Sequence, residues 1–339
     1  MRTIFRAIIS IGIIESFLIG FILVNILAFL LCITKKRTRL TNGALVFITL
    51  ACGGIGTAIG MWVTRRKRHV SPWLAVIGMI IVLIPTVHLV HGLTFDRQVR
   101  FYEIEFVSKN WPAELNGYRI AFMTDMHIIP HGDMRAVIEE LNTLSIDLLL
   151  VGGDFSTRDN HFLGTVWEIA QATTTDGIFG VEGNHDDFVR LFAAYEQHGI
   201  TPLDNNGLHI HEGFFLAGVR DLWHGTHDIA AATAGAYDED FVLLLTHNPD
   251  VTMQYPTADV DLIIAGHTHG GQITFFGYAM YLLRGSITDY GTRFSRGFST
   301  SADGVPVFTS SGIGVYYTTP RIWARPEVII FTLRRDMDI

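Results

Sequence analysis

The sequence predicts an α/β domain that is preceded by an all-α membrane module. Short apolar runs recur along the second part of the chain, each ending in polar residues, and stretches with helical spacing lie between them. The first part, residues 1–92, is almost wholly apolar apart from two basic clusters. With 339 residues, the chain is long enough for both parts.

The membrane module is predicted from three apolar stretches. They cover residues 7–33, 43–63 and 73–90. A membrane-spanning helix needs about 20 residues, and the length of each stretch is close to that. The first stretch lacks the small-residue pattern of a signal peptidase site, so it is not expected to be removed. We therefore expect a multi-pass protein of the cell membrane with a transmembrane module at 1–92, a linker at 93–114 and a soluble domain at 115–339.

The basic residues do not decide the orientation of this module. Four follow the first stretch within residues 35–39 and four follow the second at 65–68, so adjacent loops are both positive. Three full spans cannot place both loops on the cytoplasmic side. The glycine-rich stretch 43–63 is either a span or a re-entrant hairpin, and the membrane side of the soluble domain stays open.

Charge and cysteine content exclude several classes of function. The formal net charge of -8 gives no support for binding of a nucleic acid polymer. The basic clusters lie beside the candidate spans and are interpreted as contacts with membrane lipids. Cys32 and Cys52 both fall within those spans. The soluble part therefore has neither a disulfide framework nor a thiol for catalysis or metal binding.

The soluble domain is predicted to alternate strands with helices. Helical spacing of apolar residues predicts one helix from Met134 to Leu141 and another from Phe188 to Tyr195. Strand and helix in alternation form βαβ units with a parallel sheet. Strands are predicted at 119–123, 146–151, 177–181, 208–211, 214–218, from 241, and at 262–265, 305–308 and 327–333.

Polar side chains follow five of these strands directly. Ligands bind at such strand ends because the loops there are open while the sheet beneath them is rigid. In extended backbone His267 and His269 would face the same side, as would Asp125 and His127. A lone pair of histidines is often only a surface loop, but five strand ends make chance a poor explanation. The residues concerned are Asp125, His127, Asp154, Asn184, His185, His247, His267 and His269.

This inventory of oxygen and nitrogen donors predicts two metal ions. Without thiolate, the donors suit manganese, iron or zinc in a reactive site, with manganese favoured, better than a closed structural zinc site. They are too many for one ion. Two divalent ions about 3.5–4 Å apart that share one carboxylate would use them and leave positions open for water and substrate.

The motifs resemble the calcineurin-like metallophosphoesterase superfamily over residues 115–335. The tail Ser311-Gly-Ile-Gly314 with Pro326-Glu327 looks like the bacterial branch of membrane-associated or secreted phosphodiesterases, and residues 1–92 resemble a small bacterial membrane family of unknown function. Thr124 and Ile128-Ile-Pro130 depart from the usual pattern. The matching motifs are Asp125-Met-His127, Gly153-Asp154, Gly183-Asn184-His185-Asp186, His247-Asn-Pro-Asp250 and Gly266-His267-Thr-His269-Gly-Gly-Gln272.

The resemblance implies a four-layer α/β/β/α sandwich and a role for each matching residue. Asp125, His127 and His269 would hold one metal, while Asn184, His247 and His267 would hold the other. Asp154 would bridge the two ions, and metal-activated hydroxide would attack phosphorus. His185 would protonate the leaving group or bind a phosphate oxygen.

Several neighbouring residues have weaker predicted roles. Asp186 either orients the ring of His185 or caps the helix that begins near Phe188. Asn248, Thr268 and Gln272 are expected to support the ligands from behind. The remaining histidines are interpreted as packing or solvated residues, namely His131, His161, His209, His211, His224 and His227.

The predicted function is that of a membrane-anchored hydrolase of phosphate esters. A phosphodiesterase or pyrophosphatase acting on a lipid- or nucleotide-linked phosphate is favoured, with UDP-diacylglucosamine as a specific candidate. A phosphomonoesterase or protein phosphatase is the enzymatic alternative. A membrane scaffold that keeps its metals for structure is the alternative from another class.

Overall fold

The computed structural model describes residues 98–127, 134–155, 162–274, 279, 287–315 and 321–336. All of them belong to one compact unit, Gly92–Ile339. Its helices are α1 (Met134–Leu141), α2 (Phe162–Ile169), α3 (Phe188–His198), α4 (Ile229–Thr233) and α5 (Val251–Gln254). Short 3-10 turns lie at Ala113–Leu115, Leu222–His224 and His269–Gly271.

The strands form two mixed sheets of six strands each. The first sheet has the order β1-β12-β2-β3-β4-β5, in which only the β12–β2 pair is antiparallel. The second has the order β10-β11-β9-β8-β7-β6, with antiparallel pairs at its two edges. The strands are β1 (Arg100–Ser108), β2 (Tyr118–Met123), β3 (Leu148–Val151), β4 (Ile178–Gly180), β5 (Thr201–Pro202), β6 (Asn206–His211), β7 (Phe214–Gly218), β8 (Phe241–Leu245), β9 (Leu262–Ala265), β10 (Gly297–Thr300), β11 (Pro306–Thr309) and β12 (Glu327–Arg335).

Successive side chains of a strand point to opposite faces of its sheet, and this alternation divides the core into layers. Phe122 and Leu150 of the first sheet share one buried cluster with Leu243 and Ile264 of the second, so the two sheets pack face to face. The other face of the first sheet packs against α1, α2 and α3. The other face of the second sheet packs against α4 and α5. The described residues thus form an α/β fold with helices outside two mixed sheets.

Most strands predicted from apolar runs are confirmed within a residue or two, whereas β5 and β10 were missed, as was the longer β1. Its residues lie in the stretch expected to be a linker, yet β1 pairs in parallel with β12 along its whole length. The reason is its alternating pattern, in which Tyr102, Ile104 and Phe106 face the core between the two sheets while Glu103 and Glu105 interrupt the apolar run. A strand of this kind has no continuous apolar run to reveal it.

The expected location as a multi-pass protein of the cell membrane is contradicted. Among the described residues, no helix is both long enough and apolar enough to cross a bilayer. The longest of these helices, α3, has 11 residues, whereas a span needs about 20. The candidate spans 7–33, 43–63 and 73–90 themselves lie outside the described residues.

Candidate metal centre

Five strand ends bring their polar residues together at one edge of the two sheets. β2, β3 and β4 run parallel in the first sheet, and β8 and β9 run parallel in the second. The loops of the two sheets meet there, since the His267 amide donates to both carboxylate oxygens of Asp125, at 3.1 and 3.0 Å. Residues that are 142 positions apart in sequence therefore touch in the fold.

One group of possible donors consists of Asp125, His127, Asp154 and His269. One ligand atom from each lies within 4.8 Å of all the others. His127 Nε2 lies 3.1 Å from His269 Nε2 and 3.2 Å from Asp154 Oδ2. His269 Nε2 lies 3.4 Å from Asp125 Oδ1. The ligand atoms of these four side chains are close enough together to bind one cation.

A second group consists of Asp154, His247 and His267, whose ligand atoms also lie within 4.8 Å of one another. His247 Nε2 lies 3.3 Å from Asp154 Oδ2, 3.2 Å from His267 Nδ1 and 3.2 Å from Asn184 Oδ1. The same carboxylate oxygen, Asp154 Oδ2, therefore faces a histidine of each group. All seven side chains predicted as ligands lie in this cluster.

Backbone carbonyls determine which ring nitrogens of two histidines face the cluster. His247 Nδ1 lies 2.7 Å from the Gly152 carbonyl, and His267 Nε2 lies 2.9 Å from the Ile287 carbonyl. Because a carbonyl only accepts hydrogen bonds, both nitrogens must carry hydrogen. In the neutral rings, the lone pairs of His247 Nε2 and His267 Nδ1 therefore point at the other donors. Such an arrangement is typical of histidines that bind metals.

The backbone at these positions is left-handed, not extended as expected from the sequence. The φ angles are 54° at Asp125, 31° at His127, 56° at Asp154, 73° at His267 and 52° at His269. The argument from period-two alternation was therefore wrong, although the paired side chains do converge. Left-handed backbone at non-glycine residues is costly and concentrates at functional sites, where the surrounding structure imposes it.

Two glycines allow the loops to approach this closely. A Cβ atom at Gly183 would lie 2.2 Å from Asp154 Oδ1. A Cβ atom at Gly266 would lie 2.2 Å from Thr124 Oγ1 and 2.6 Å from Asp125 Oδ2. Any side chain at either position would push a carboxylate out of the cluster.

Three groups of the cluster hold the protonation states that bind cations, whereas at His247 the neighbouring carboxylates outweigh burial and raise the pKa well above its ordinary value. Burial would raise the pKa of Asp154, but the neighbouring His247 and His127 hold it well below its ordinary value. Burial, together with His247, lowers the pKa of His267 to about 3, and burial with His127 lowers that of His269. Asp154 is thus a carboxylate and these two rings are neutral, which are the protonation states that bind metal ions.

The chemistry of the donor set fits divalent metals. Carboxylate oxygen, amide oxygen and imidazole nitrogen occur together without thiolate, a mixture that suits first-row transition ions. Two groups that share a carboxylate match the geometry of a two-metal site. The centre therefore implies divalent metal ions.

His185 and Asp186 lie beside the shared carboxylate. The His185 amide donates to Asp154 Oδ1 at 2.9 Å, and its partly exposed ring stands 5.4 Å from the ring of His127. Asp186 Oδ2 accepts from the amides of Asp154 and Gly183, at 2.8 and 2.9 Å. The helix-capping interpretation of Asp186 is wrong, because Asp187 caps α3. Asp186 instead ties two loops of the cluster together.

The other predicted neighbours stabilise loops around the cluster. Asn248 Oδ1 accepts from the Asp250 amide at 3.0 Å, and Thr268 Oγ1 donates to the Ser295 carbonyl at 2.8 Å. Gln272 is buried with a left-handed φ of 46°. All three side chains are close to fully buried, as expected of residues that support a site from behind.

Arg321 was not predicted from the sequence. It is fully buried, with Nε 2.8 Å from the Gly314 carbonyl and Nη2 3.3 Å from His269 Nδ1. A buried arginine beside a candidate ligand leaves no signal in a single sequence, since arginines are usually exposed. A second missed feature is Trp223, whose ring centroid lies 4.7 Å from that of His267.

Four histidines expected to have packing roles lie outside both donor groups. His209 pairs with Asp240 at 2.7 Å, and His211 with Asp176 at 2.8 Å. The remaining two are His224, which contacts Glu182, and His227, which packs on Tyr255. His131 and His161 lie outside the described residues.

The fold and the site together define the class of protein. Two mixed sheets that carry a shared-carboxylate metal centre at their strand ends are those of a metal-dependent hydrolase of phosphate esters. Residues 118–271 match the family described as Calcineurin-like phosphoesterase. These residues therefore form a calcineurin-like metallophosphoesterase domain, as the sequence motifs indicated.

Three proteins that are similar in sequence to this chain have the word metallophosphoesterase in their names. An uncharacterized metallophosphoesterase of Campylobacter jejuni is 24% identical over 311 residues, which cover 86% of this chain and 78% of that protein. A transmembrane protein with metallophosphoesterase domain of Bos taurus is 28% identical over 301 residues, or 80% of this chain and 64% of that protein. An uncharacterized metallophosphoesterase of Bacillus subtilis is 26% identical over 237 residues, covering 66% of this chain and 81% of that protein.

Proposed function

We propose that the protein is a phosphodiesterase or pyrophosphatase that uses two metal ions. The observation that carries this proposal is the position of Asp154 Oδ2, which lies 3.2 Å from a histidine of one donor group and 3.3 Å from a histidine of the other. A carboxylate oxygen placed between two groups of nitrogen and oxygen donors is what a bridged pair of cations requires.

The ligands divide by group. Asp125, His127 and His269 would hold one ion, Asn184, His247 and His267 the other, and Asp154 would bridge them. Bound divalent ions would lower the pKa of a coordinated water and withdraw charge from the phosphate oxygens. Manganese is the preferred ion in this proposal because the set combines hard oxygen donors with imidazole.

His185 would act on the leaving group. Its amide is anchored to Asp154 Oδ1, so its ring is carried next to the bridging position without belonging to either donor group. The ring is partly exposed and therefore accessible to a substrate. A protonated imidazole there would donate its proton to the departing alkoxide, which is a weak leaving group without it.

The substrate would carry an organic group on each side of the phosphate, linked to a nucleotide or a lipid. Support comes from the half-exposed indole of Trp223, which lies beside His267. An exposed apolar surface at a metal centre can contact an organic group of the substrate, which a bare phosphate does not have. UDP-diacylglucosamine combines both kinds of group and is the specific candidate.

Turnover of matched substrates tests this proposal. Full-length protein loaded with manganese should hydrolyse bis(p-nitrophenyl) phosphate faster than p-nitrophenyl phosphate, and UDP-diacylglucosamine should be tested beside them. Faster hydrolysis of the monoester would instead identify a phosphomonoesterase. Absence of turnover on all three, with both metals bound, would overturn the proposal.

A variant of His185 tests its role separately. His185→Ala should lose at least about a hundredfold in kcat, the usual range for a general acid, while the metal content stays at two ions per chain. His198→Ala, at the end of α3 and outside both donor groups, serves as the matched control and should retain turnover. Loss of metal in step with activity would show that His185 has a structural role.

A further inference from the structure

Trp223 is exposed to solvent beside the metal centre. Its side chain keeps 54% of its surface accessible, although tryptophan is among the most apolar residues. Its ring meets that of His267 edge to face, at 4.7 Å between centroids and 90° between planes. One part of the indole therefore contacts a candidate ligand while the rest is exposed to solvent.

The loop that carries Trp223 is held by a buried carboxylate. Glu182 is fully buried, and its Oε1 lies 3.3 Å from Arg220 Nε, 3.3 Å from the Asp221 amide and 3.2 Å from His224 Nδ1. Asp221 in turn accepts from the Trp223 amide at 2.8 Å. Since Glu182 lies two residues before Asn184, the same segment positions both the loop and a candidate ligand.

A second contact fixes the base of this loop. The Arg220 guanidinium lies 3.7 Å above the ring of Phe188, the first residue of α3. Stacking of this kind adds a cation–π attraction to the ion pair with Glu182. The backbone that carries the indole is thus held in place before any substrate arrives, which reduces the entropy lost on binding.

We propose that Trp223 is a specificity-determining residue that packs against a flat aromatic group on the phosphate ester, such as a nucleobase. This inference rests on the proposed function and specifies its substrate class. An exposed indole face interacts with an aromatic ring more strongly than with a methyl group, through both area and quadrupole. The contact would act on binding of the substrate and leave the metal ligands in place.

Binding of phosphonates tests this without requiring turnover. Phenylphosphonate and methylphosphonate present the same phosphorus group with and without an aromatic ring. By calorimetry on the manganese-loaded full chain, Trp223→Ala should weaken phenylphosphonate about tenfold, the range for one aromatic contact, and leave methylphosphonate within about twofold. Trp223→Phe should retain most of the affinity for phenylphosphonate.

Trp167→Ala provides the matched control. Trp167 is similarly exposed, at 46%, but lies on α2 away from both donor groups, so its removal should change neither affinity. The inference would be overturned if Trp223→Ala weakened the binding of both phosphonates equally, or if it left the binding of both unchanged. An equal loss for hexylphosphonate would show that the contact is apolar but not aromatic, and would also overturn it. Failure of wild-type protein to hydrolyse diesters would count against the proposed function alone.

Discussion

The Nε2 hydrogen of His267 is donated to the carbonyl oxygen of Ile287 at 2.9 Å, which leaves Nδ1 facing His247. The segment that carries this carbonyl is itself held by Asp250. Asp250 Oδ1 accepts from Thr288 Oγ1 at 2.5 Å, and Oδ2 accepts from the Asp289 amide at 2.8 Å. The His-Asn-Pro-Asp motif thus orients a ligand on the neighbouring strand end.

Asp250→Asn should therefore weaken metal binding at the position of His267. An asparagine cannot accept both hydrogen bonds, so the 287–289 segment would shift and the imidazole would lose its support. The expected loss is about 10–100-fold in affinity for one of two ions, the range for outer residues of metal sites, and it can be measured by titration with manganese. Asp289→Asn, in which an exposed side chain changes and the amide donor remains, should leave the affinity unaltered.

Replacement of Asp154, which both donor groups share, should remove more metal than replacement of a ligand that belongs to one group only. Asp154→Asn is expected to lose both ions, because Asp154 Oδ2 faces histidines of both groups. His269→Ala and His247→Ala should each lose one ion. Metal content per chain by mass spectrometry tests this, with the exposed Asp238→Asn as control. Retention of one ion by Asp154→Asn would contradict the bridging role.

Much of this centre was predictable because strand ends and donor types are local features. Asp154, Asn184 and His247 each follow an apolar run, and runs of that kind can be read without knowledge of the fold. The contributions of Glu182, Arg321 and Trp223 could not be predicted from the sequence, since each depends on a contact between residues far apart in the chain.

The backbone conformation was mispredicted for a related reason. Asp125 and His267 were expected in extended segments, but both are left-handed. The loops carrying them hydrogen-bond across the two sheets, and this tertiary constraint overrides the local preference. The strand β1 was missed for a different reason, because Glu103 and Glu105 alternate with its apolar residues and leave no continuous apolar run.

Two glycine substitutions should have opposite effects on stability. Gly183→Ala would place a Cβ atom 2.2 Å from Asp154 Oδ1, so the melting temperature should fall and metal binding should be lost. Gly164→Ala is the matched control, because Gly164 lies exposed in α2 with no atom within 4 Å of an added Cβ. Alanine there should stabilise by about 0.5–1 kcal/mol through helix propensity. Equal melting temperatures of the two variants would contradict this account of the close approach at Gly183.

The contribution of Asp221 to the stability of the metal-free protein should fall as the pH rises from about 4 to 6. Burial raises the pKa of its carboxyl to about 6, with His247 opposing and Asp154 adding to the shift. In the unfolded chain the group titrates near 3.9. The folded state therefore holds the proton more tightly, and its contribution is complete below about pH 4 and is lost through pH 6.

Asp221→Asn isolates this contribution. Asparagine stays neutral at every pH and keeps an oxygen for the Trp223 amide. The free energy of unfolding of the variant relative to wild type should therefore rise by about 3 kcal/mol between pH 4 and pH 7, an order-of-magnitude value from two pKa units. Denaturant unfolding of both proteins in the presence of a chelator measures the difference. A difference independent of pH would show that folding does not raise the pKa of the Asp221 carboxyl.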